Sequence, residues 1–343
     1  MVSDPEQRSI KDPIIILGID TSCDDTSIAL LHNGKTILSN IVSSQIEIHK
    51  LFGGVVPEIA SRKHVELIDS IYNKVLSQAD IESRDIDVIC VTSGPGLIGS
   101  VLTGLCFAKG LSISLDKQLI GVNHVEAHAM SIFLEREVDF PYIALVVSGG
   151  HTIILLMEDY CTYRIIGSTR DDAAGEAFDK IAKYLGIGYP GGRIIEEISK
   201  EGNPRHVQFP RPMIDETGYD FSFSGLKTSF LNYVKKNDVT EKDMPHVLAS
   251  FQEAICDVLS FKTIKAALDY NIKRIIVGGG VAANGRLRDI FLENGGRERL
   301  DVKFSSPELC ADNGAMIAIT GFYYFQKGIF SSIDMKGFSR MPL

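Results

Sequence analysis

The sequence predicts an α/β protein built as two lobes, on three observations. An apolar run ending on a carboxylate, Ile14-Ile15-Ile16-Leu17-Gly18-Ile19-Asp20, is followed by a polar turn and a returning apolar run. The same strand-turn-strand pattern recurs at 142–157, which makes it an internal structural repeat. In each half a later apolar strand runs through a glycine-containing loop into a helix, the alternation that builds a partly parallel sheet with covering helices.

At 343 residues with 45% hydrophobic content, the chain can form a substantial core in two domains of about 100–200 residues. Residues 14–20 read as the first strand, Thr21-Ser22-Cys23-Asp24-Asp25-Thr26 as the turn, 27–31 as the returning strand and 35–42 as a third. Strand 86–91 leads through Thr92-Ser93-Gly94-Pro95-Gly96-Leu97-Ile98-Gly99-Ser100 into a helix over 101–114. Strand 118–122 leads into a helix that continues through Leu134. In the second half, strands at 142–147 and 153–157 flank Ser148-Gly149-Gly150-His151-Thr152, with a third near 163–167. Strand 274–277 then runs through Gly278-Gly279-Gly280-Val281-Ala282-Ala283-Asn284 into a helix ending near Asn294. This order assigns 14–141 plus about 311–327 to a first lobe and 142–310 to a second, with a disordered extension at 1–13 and a tail at 328–343. Two such halves define the actin, sugar-kinase and Hsp70-like (ASKHA) architecture, whose interlobe cleft holds a nucleotide. That is an analogy of fold, so function has to be argued from the site.

The apolar runs fall short of the roughly 20 residues a bilayer crossing needs, or are interrupted, so no membrane span is expected. The first residues lack a signal-peptide apolar core and a transit-peptide character, which places the chain in the cytoplasm. Six cysteines without any close pair read as reduced core residues. A formal charge of −9 argues against broad nucleic-acid affinity, which needs clustered Lys and Arg. Arg62-Lys63 and Lys235-Lys236 read as solvated helix faces or as parts of a local basic patch.

Within Asn123-His124-Val125-Glu126-Ala127-His128, the histidine spacing points two imidazoles the same way on a helix. A strand-to-helix junction is where open α/β sheets place ligands. Taken alone, the pair fits ordinary packing as well as it fits metal ligation. Glu126 lies about 200° round the helix from His124, so the zinc-protease pattern, with its glutamate on the metal face, is disfavoured. Asp312, ahead of the apolar run 315–322, reads first as an N-terminal helix charge. It is also placed to complete a two-His, one-carboxylate site of the kind that suits iron or catalytic zinc.

Other stretches carry possible chemistry. The glycines of Ser148-Gly149-Gly150-His151-Thr152 allow close backbone approach and positive φ, for a ligand or for a plain hairpin turn, and His151 reads as a donor or as structural. Asn284, after the Gly278 loop, offers a donor and an acceptor to a ribose or base. No Walker phosphate loop is present. In Asp171-Asp172-Ala173-Ala174-Gly175-Glu176-Ala177-Phe178-Asp179-Lys180 two carboxylates read as helix N-terminal charges, whereas Asp179, near Tyr189-Pro190-Gly191-Gly192, reads as a ribose ligand. Phe221-Ser222-Phe223-Ser224-Gly225-Leu226-Lys227-Thr228 reads as a strand-like run into a helix, with Lys227 unexplained.

Together these stretches, with Gly18-Ile19-Asp20-Thr21-Ser22-Cys23-Asp24-Asp25-Thr26, Gly53-Gly54-Val55-Val56-Pro57-Glu58-Ile59-Ala60-Ser61-Arg62 and Gly94-Pro95-Gly96-Leu97, resemble one family over nearly the whole chain. It is the family of tRNA threonylcarbamoyladenosine transferases, TsaD in bacteria, formerly described as O-sialoglycoprotein endopeptidases. The resemblance implies that His124, His128 and Asp312 hold one Fe2+ or Zn2+ ion. It implies that Val147, Ser148, Gly149, Gly150, His151, Asp179, Gly192, Glu196 and Asn284 line a site for threonylcarbamoyl-AMP. The implied reaction moves the threonylcarbamoyl group to N6 of the adenosine 3′ of the anticodon, in tRNAs reading codons that begin with A. The implied partners are tRNA, a paralogous TsaB-like subunit and a small TsaE-like ATPase. Three positions depart from the family pattern: Asp20 for glutamate, Ala127 for glycine and Arg193 for proline.

Two rival enzymes remain at this level. An ATPase or kinase of the same architecture would use Asp20 with Mg–ATP, although Mg2+ prefers oxygen ligands to histidine. The metalloprotease of the older description is opposed by the position of Glu126. No side chain is assigned as a general base.

Overall fold

The computed structural model describes residues 13–340, so the expected N-terminal extension lies almost entirely outside the described residues. Ten strands form two sheets of five. The first holds β1 (Ile15–Asp20), β2 (Asp25–His32), β3 (Thr36–Ser44), β4 (Val88–Gly94) and β5 (Gln118–Asn123), in the order β3-β2-β1-β4-β5. The second holds β6 (Tyr142–Val147), β7 (Thr152–Asp159), β8 (Thr162–Ser168), β9 (Arg274–Gly278) and β10 (Asp301–Phe304), in the order β10-β9-β6-β7-β8. In both, the leading strand pairs antiparallel with its successor and parallel with the strand that follows the helical insertion. The duplication read from the strand-turn-strand units is therefore a duplication of sheet topology. β1 and β6 are buried along their whole length, which explains why they read as continuous apolar runs without alternation.

The helices are α1 (Ile46–His49), α2 (Pro57–Ala79), α3 (Ile98–Leu115), α4 (His124–Met130), α5 (Ala174–Leu185), α6 (Gly191–Ser199), α7 (Ser224–Lys236), α8 (Met244–Asp269), α9 (Gly285–Arg297), α10 (Pro307–Cys310) and α11 (Gly314–Gln326). Helix α2 starts with Pro57 in its first turn, where a missing N–H costs nothing. It stops at Asp80 in the left-handed region. One apolar cluster joins α2 and α3 to one face of the first sheet. A second includes residues of α4 and α11 and continues into Tyr142, Ala144, Val146, Leu155, Met157 and Ile276 of the second sheet. A third holds α5 to α9 against the second sheet's other face. Helix α4 thus lies in a core shared by both sheets, and that is what places its histidines between the lobes.

Several local expectations need correction. Phe221 makes only an isolated bridge to Thr169, because the phenylalanines at 221 and 223 are packing residues of the second-lobe core. Asp171 and Asp172 do not cap the helix that follows them. Asp171 accepts from the Phe223 and Ser224 amides at 2.8 and 3.2 Å and so fastens the start of α7, while Asp172 pairs with Lys180 and Lys227. That pairing accounts for Lys227. Only Cys90, Cys256 and Cys310 of the six free cysteines are buried, and Cys106 is exposed. Helix α3 is long and apolar enough to cross a membrane by length and composition, unlike the expectation from the sequence, yet it packs on β4 and α2. The tail is pinned to the first sheet's parallel strands: the Ser331 amide donates to the Leu119 carbonyl and the Phe338 amide to the Ser93 carbonyl, each at 2.8 Å.

Candidate metal centre and cleft

Asn123 ends β5 and caps α4, its Oδ1 accepting from the Val125 amide at 2.9 Å and the Glu126 amide at 3.3 Å. The cap sets His124 at the first helical position and His128 one turn later, with ring centroids 4.7 Å apart. Both rings are buried, at 4% and 0% exposure. Glu126 faces away as the spacing predicts, into a buried pocket where its Oε2 accepts from the Tyr324 hydroxyl at 2.8 Å.

Asp312 does not serve as a helix charge. The cap of α11 is Asn313, whose Oδ1 accepts from the Met316 amide at 2.9 Å, while the Gly314 amide donates to Ser27 Oγ at 2.8 Å. Gly18 and Gly314 make this junction possible, since a Cβ on Gly18 would stand 2.1 Å from the Gly314 carbonyl oxygen. The Asp312 carboxylate is thereby left to face the histidines: its Oδ1 is 3.6 Å from His124 Nε2 and 3.1 Å from His128 Nε2. One ligand atom from each of the three residues falls within 4.8 Å of the others.

Orphaned polar atoms mark the same place. His128 Nδ1 and Nε2 are both buried without an aligned hydrogen-bond partner. Burial opposes charge on His124, but Asp20 and Asp312 outweigh it and push its pKa up to about 9. Burial would raise the Asp312 carboxyl, yet His124 and His128 hold it well below the usual carboxylate range. Two imidazoles and one ionised carboxylate form a donor set that fits a borderline divalent cation such as Fe2+ or Zn2+.

The second lobe supplies the facing wall. A Cβ on Gly278 would come within 2.7 Å of the His128 carbonyl oxygen, so β9 touches the ligand helix. Positive φ, expected at Gly149 and Gly150, occurs instead at Gly279 (φ 91), which lies against the Val147 carbonyl. The 148–151 turn closes through the Ser148 amide on the His151 carbonyl at 2.8 Å, and the two glycines are exposed with open space above them. Val147, expected to line the site, is fully buried, with its carbonyl packed beside Gly279. The His151 ring centroid is 6.2 Å from that of His124. Burial first, then the neighbouring histidines, pull its pKa down to about 4 and keep it neutral.

Asp179 accepts from the Gly191 amide at 2.7 Å and so anchors α6. Burial, assisted by Asp24, raises its pKa to about 6. Gly192 lies in the first turn of α6, which is regular with Arg193 on its exposed side. Glu196 accepts from the Gly285 amide at 2.7 Å and helps line a cavity of about 400 Å³ with Gln252 and Arg286. Asn284 is less available than expected: its Oδ1 accepts from Leu287, capping α9, and its Nδ2 donates to Gln252 Oε1. The sequence reading missed Asp25, whose pKa burial and then Asp312 raise to about 7. Its signal was a pair of carboxylates in the first strand-turn-strand turn.

Comparison with known proteins identifies the family. A family model described as TsaD, tRNA N6-adenosine threonylcarbamoyltransferase, matches residues 36–319. The tRNA N6-adenosine threonylcarbamoyltransferases of Syntrophotalea carbinolica and Geotalea uraniireducens are each 47% identical over 332 residues, covering 96% of this chain and 97% of theirs. That of Clostridium kluyveri is 48% identical over 335 residues. HypF of T. kodakarensis superposes with a TM-score of 0.64 at 13% identity, over 93% of this chain and 50% of that one. Component A of the Acidaminococcus fermentans (R)-2-hydroxyglutaryl-CoA dehydratase gives 0.56 at 17% identity, over 92% and 99%. At such identities these superpositions show the ASKHA-like two-lobed fold alone. Identity near one half along almost the full length shows more, and the chain belongs to the TsaD family of tRNA N6-adenosine threonylcarbamoyltransferases.

Proposed function

We propose that this transferase carries the threonylcarbamoyl group from threonylcarbamoyl-AMP to N6 of the adenosine 3′ of the anticodon, in tRNAs reading codons that begin with A, with a divalent metal at His124, His128 and Asp312. The observation that carries this reading is the triad itself: three inward-facing ligand atoms within 4.8 Å, two of the residues buried, at the seam of the lobes. When bound, Fe2+ or Zn2+ supplies a positive centre that orients an acyl group and stabilises its developing charge. The chain's own residues do the rest. An acyl-adenylate already has a good leaving group, so orientation counts for more than activation. The exposed backbone of Gly149 and Gly150 is open to the ligand, and neutral His151 offers a hydrogen bond without adding charge. Gly192, Glu196 and Asn284 are the residues proposed to receive the adenosine, Glu196 from the wall of the cavity beside Gly285.

A TsaB-like paralogue and a TsaE-like ATPase complete the proposed system. Val65 on α2 and Ile98, Leu102 and Ile113 on α3 are exposed apolar side chains that offer a face to a protein partner. At a net charge of −9 the chain gains from partners that bring basic surface to the tRNA. The proposed location is the cytoplasm, where its six free thiols stay reduced.

The test is metal stripping and reconstitution. Chelator-treated protein with its partners should lose transfer to unmodified tRNA and regain it with Fe2+ or Zn2+. Unchanged transfer after complete stripping would sink the metal assignment, and brisk ATP turnover without transfer would favour the kinase.

A further inference from the structure

We infer that Asp20 is a positioning residue for the metal centre, its carboxylate selecting the tautomer and orientation of His124; this rests on reading the triad as a metal site. Asp20 ends β1 and is 0% exposed. Its Oδ1 accepts from Thr92 Oγ1 at 2.6 Å and the Ser22 amide at 3.2 Å, and its Oδ2 accepts from Ser22 Oγ at 3.3 Å. The same Oδ2 faces His124 Nδ1 at 3.5 Å without forming an aligned hydrogen bond, while His124 Nε2 faces Asp312 at 3.6 Å.

The imidazole therefore stands between two carboxylates of different character. The Asp312 side chain is 21% exposed and shares the space with His128. Asp20 is enclosed and held by three donors from β4 and the β1–β2 turn. The Asp20 oxygens accept from Thr92 and Ser22 and face His124 on its Nδ1 side, away from the Nε2 side that Asp312 occupies, so Asp20 supports the ring and is not a fourth ligand. Both Asp20 oxygens accept hydrogen bonds from these donors, so the group presents an acceptor to the ring. When a cation displaces the Nε2 proton, Asp20 beside Nδ1 favours the tautomer that keeps the proton there, with the Nε2 lone pair directed at the triad. No other buried carboxylate is placed beside a ring nitrogen of either histidine on the side away from Asp312, among the described residues.

Asp20→Asn reverses that selection at nearly constant shape. Its oxygen can keep Thr92 and the Ser22 amide, which turns the NH2 group toward Nδ1. Nδ1 then accepts, the proton moves to Nε2, and the ligand lone pair is lost. Asp20→Glu keeps the charge. The experiment measures Zn2+ affinity of the full chain by competition with a chromophoric chelator, for the natural sequence, Asp20→Asn, Asp20→Glu, Thr92→Val and His128→Ala. Thermal midpoints of the metal-free forms are recorded alongside. The expected result is affinity about 10–100-fold weaker in Asp20→Asn, near natural in Asp20→Glu and intermediate in Thr92→Val. If His128→Ala loses Zn2+ while folded Asp20→Asn binds as tightly as the natural chain, or Asp20→Glu falls as far as Asp20→Asn, the positioning role is overturned and the metal site stands. If Asp20→Asn does not fold, Thr92→Val decides: weaker binding supports the role and unchanged binding overturns it. If His128→Ala binds Zn2+ as the natural chain does, the metal site itself fails and the role with it.

Discussion

His128 Nε2 lies 3.1 Å from Asp312 Oδ1, close enough for an ion pair, yet the two groups are not aligned as hydrogen-bond donor and acceptor. Neither nitrogen of the fully buried His128 ring has a partner. An orphaned buried polar group costs roughly 1–3 kcal/mol. A cation between the three ligand atoms offsets that cost, and it is the simplest reason for the arrangement.

Replacing His128 by alanine or Asp312 by asparagine should abolish stoichiometric metal and lower transfer at least ~100-fold, since a metal supplies several kcal/mol of transition-state stabilisation. Elemental analysis and single-turnover transfer check both. Full metal content in either variant would contradict the assignment.

Glu126 predicts a pH dependence. Burial raises its pKa from 4.5 to about 7, despite the hydroxyl donated by Tyr324. Below the unfolded value the carboxyl is protonated in both states. Between about 4.5 and 7 the unfolded chain loses the proton and the folded chain keeps it, so this stabilising contribution is lost as pH rises. Glu126→Gln should therefore gain stability relative to the natural metal-free chain on going from pH 5 to 8, by up to ~3 kcal/mol. Denaturant titrations across that range test it, and a pH-independent difference would count against it.

The contact between β9 and the ligand helix predicts a pair of opposite results. Gly278→Ala places a Cβ 2.7 Å from the His128 carbonyl and should cost about 1–3 kcal/mol while weakening Zn2+ binding. Gly280→Ala meets open space and should leave Zn2+ affinity near natural. Equal affinities in both variants would show that β9 does not steady the histidines.

Asp171 gives a prediction away from the metal. Asp171→Ala removes the acceptor for the Phe223 and Ser224 amides at the start of α7 and should cost about 1 kcal/mol. Metal content should be unchanged. A loss of bound metal would mean that α7 is coupled to the centre.

The repeated strand-turn-strand units and the helical spacing of the histidine pair were readable in the sequence because each depends on local periodicity or spacing. What was not readable depends on competition between neighbours or on distant partners. Asp312 looked like a helix charge until Asn313, the next residue, proved to hold the cap. Two of the four carboxylates at 171–179 read as helix N-terminal charges, but the donors to Asp171 lie 52 and 53 residues on. Asn284 looked free for a ligand, yet Gln252 engages its amide from 32 residues away. Asp20 ended an apolar strand in plain view, and only the fold set His124 beside it.

Metal-assisted transfer of an acyl group to tRNA is the function proposed for this chain. Its most direct test follows labelled threonine from threonylcarbamoyl-AMP into unmodified tRNA, using the chain with its partners, and omits the metal and each protein in turn. Label is expected on the adenosine 3′ of the anticodon only when this chain and its metal are both present, and none with His128→Ala. Label transferred equally by the metal-free protein or by His128→Ala would contradict it.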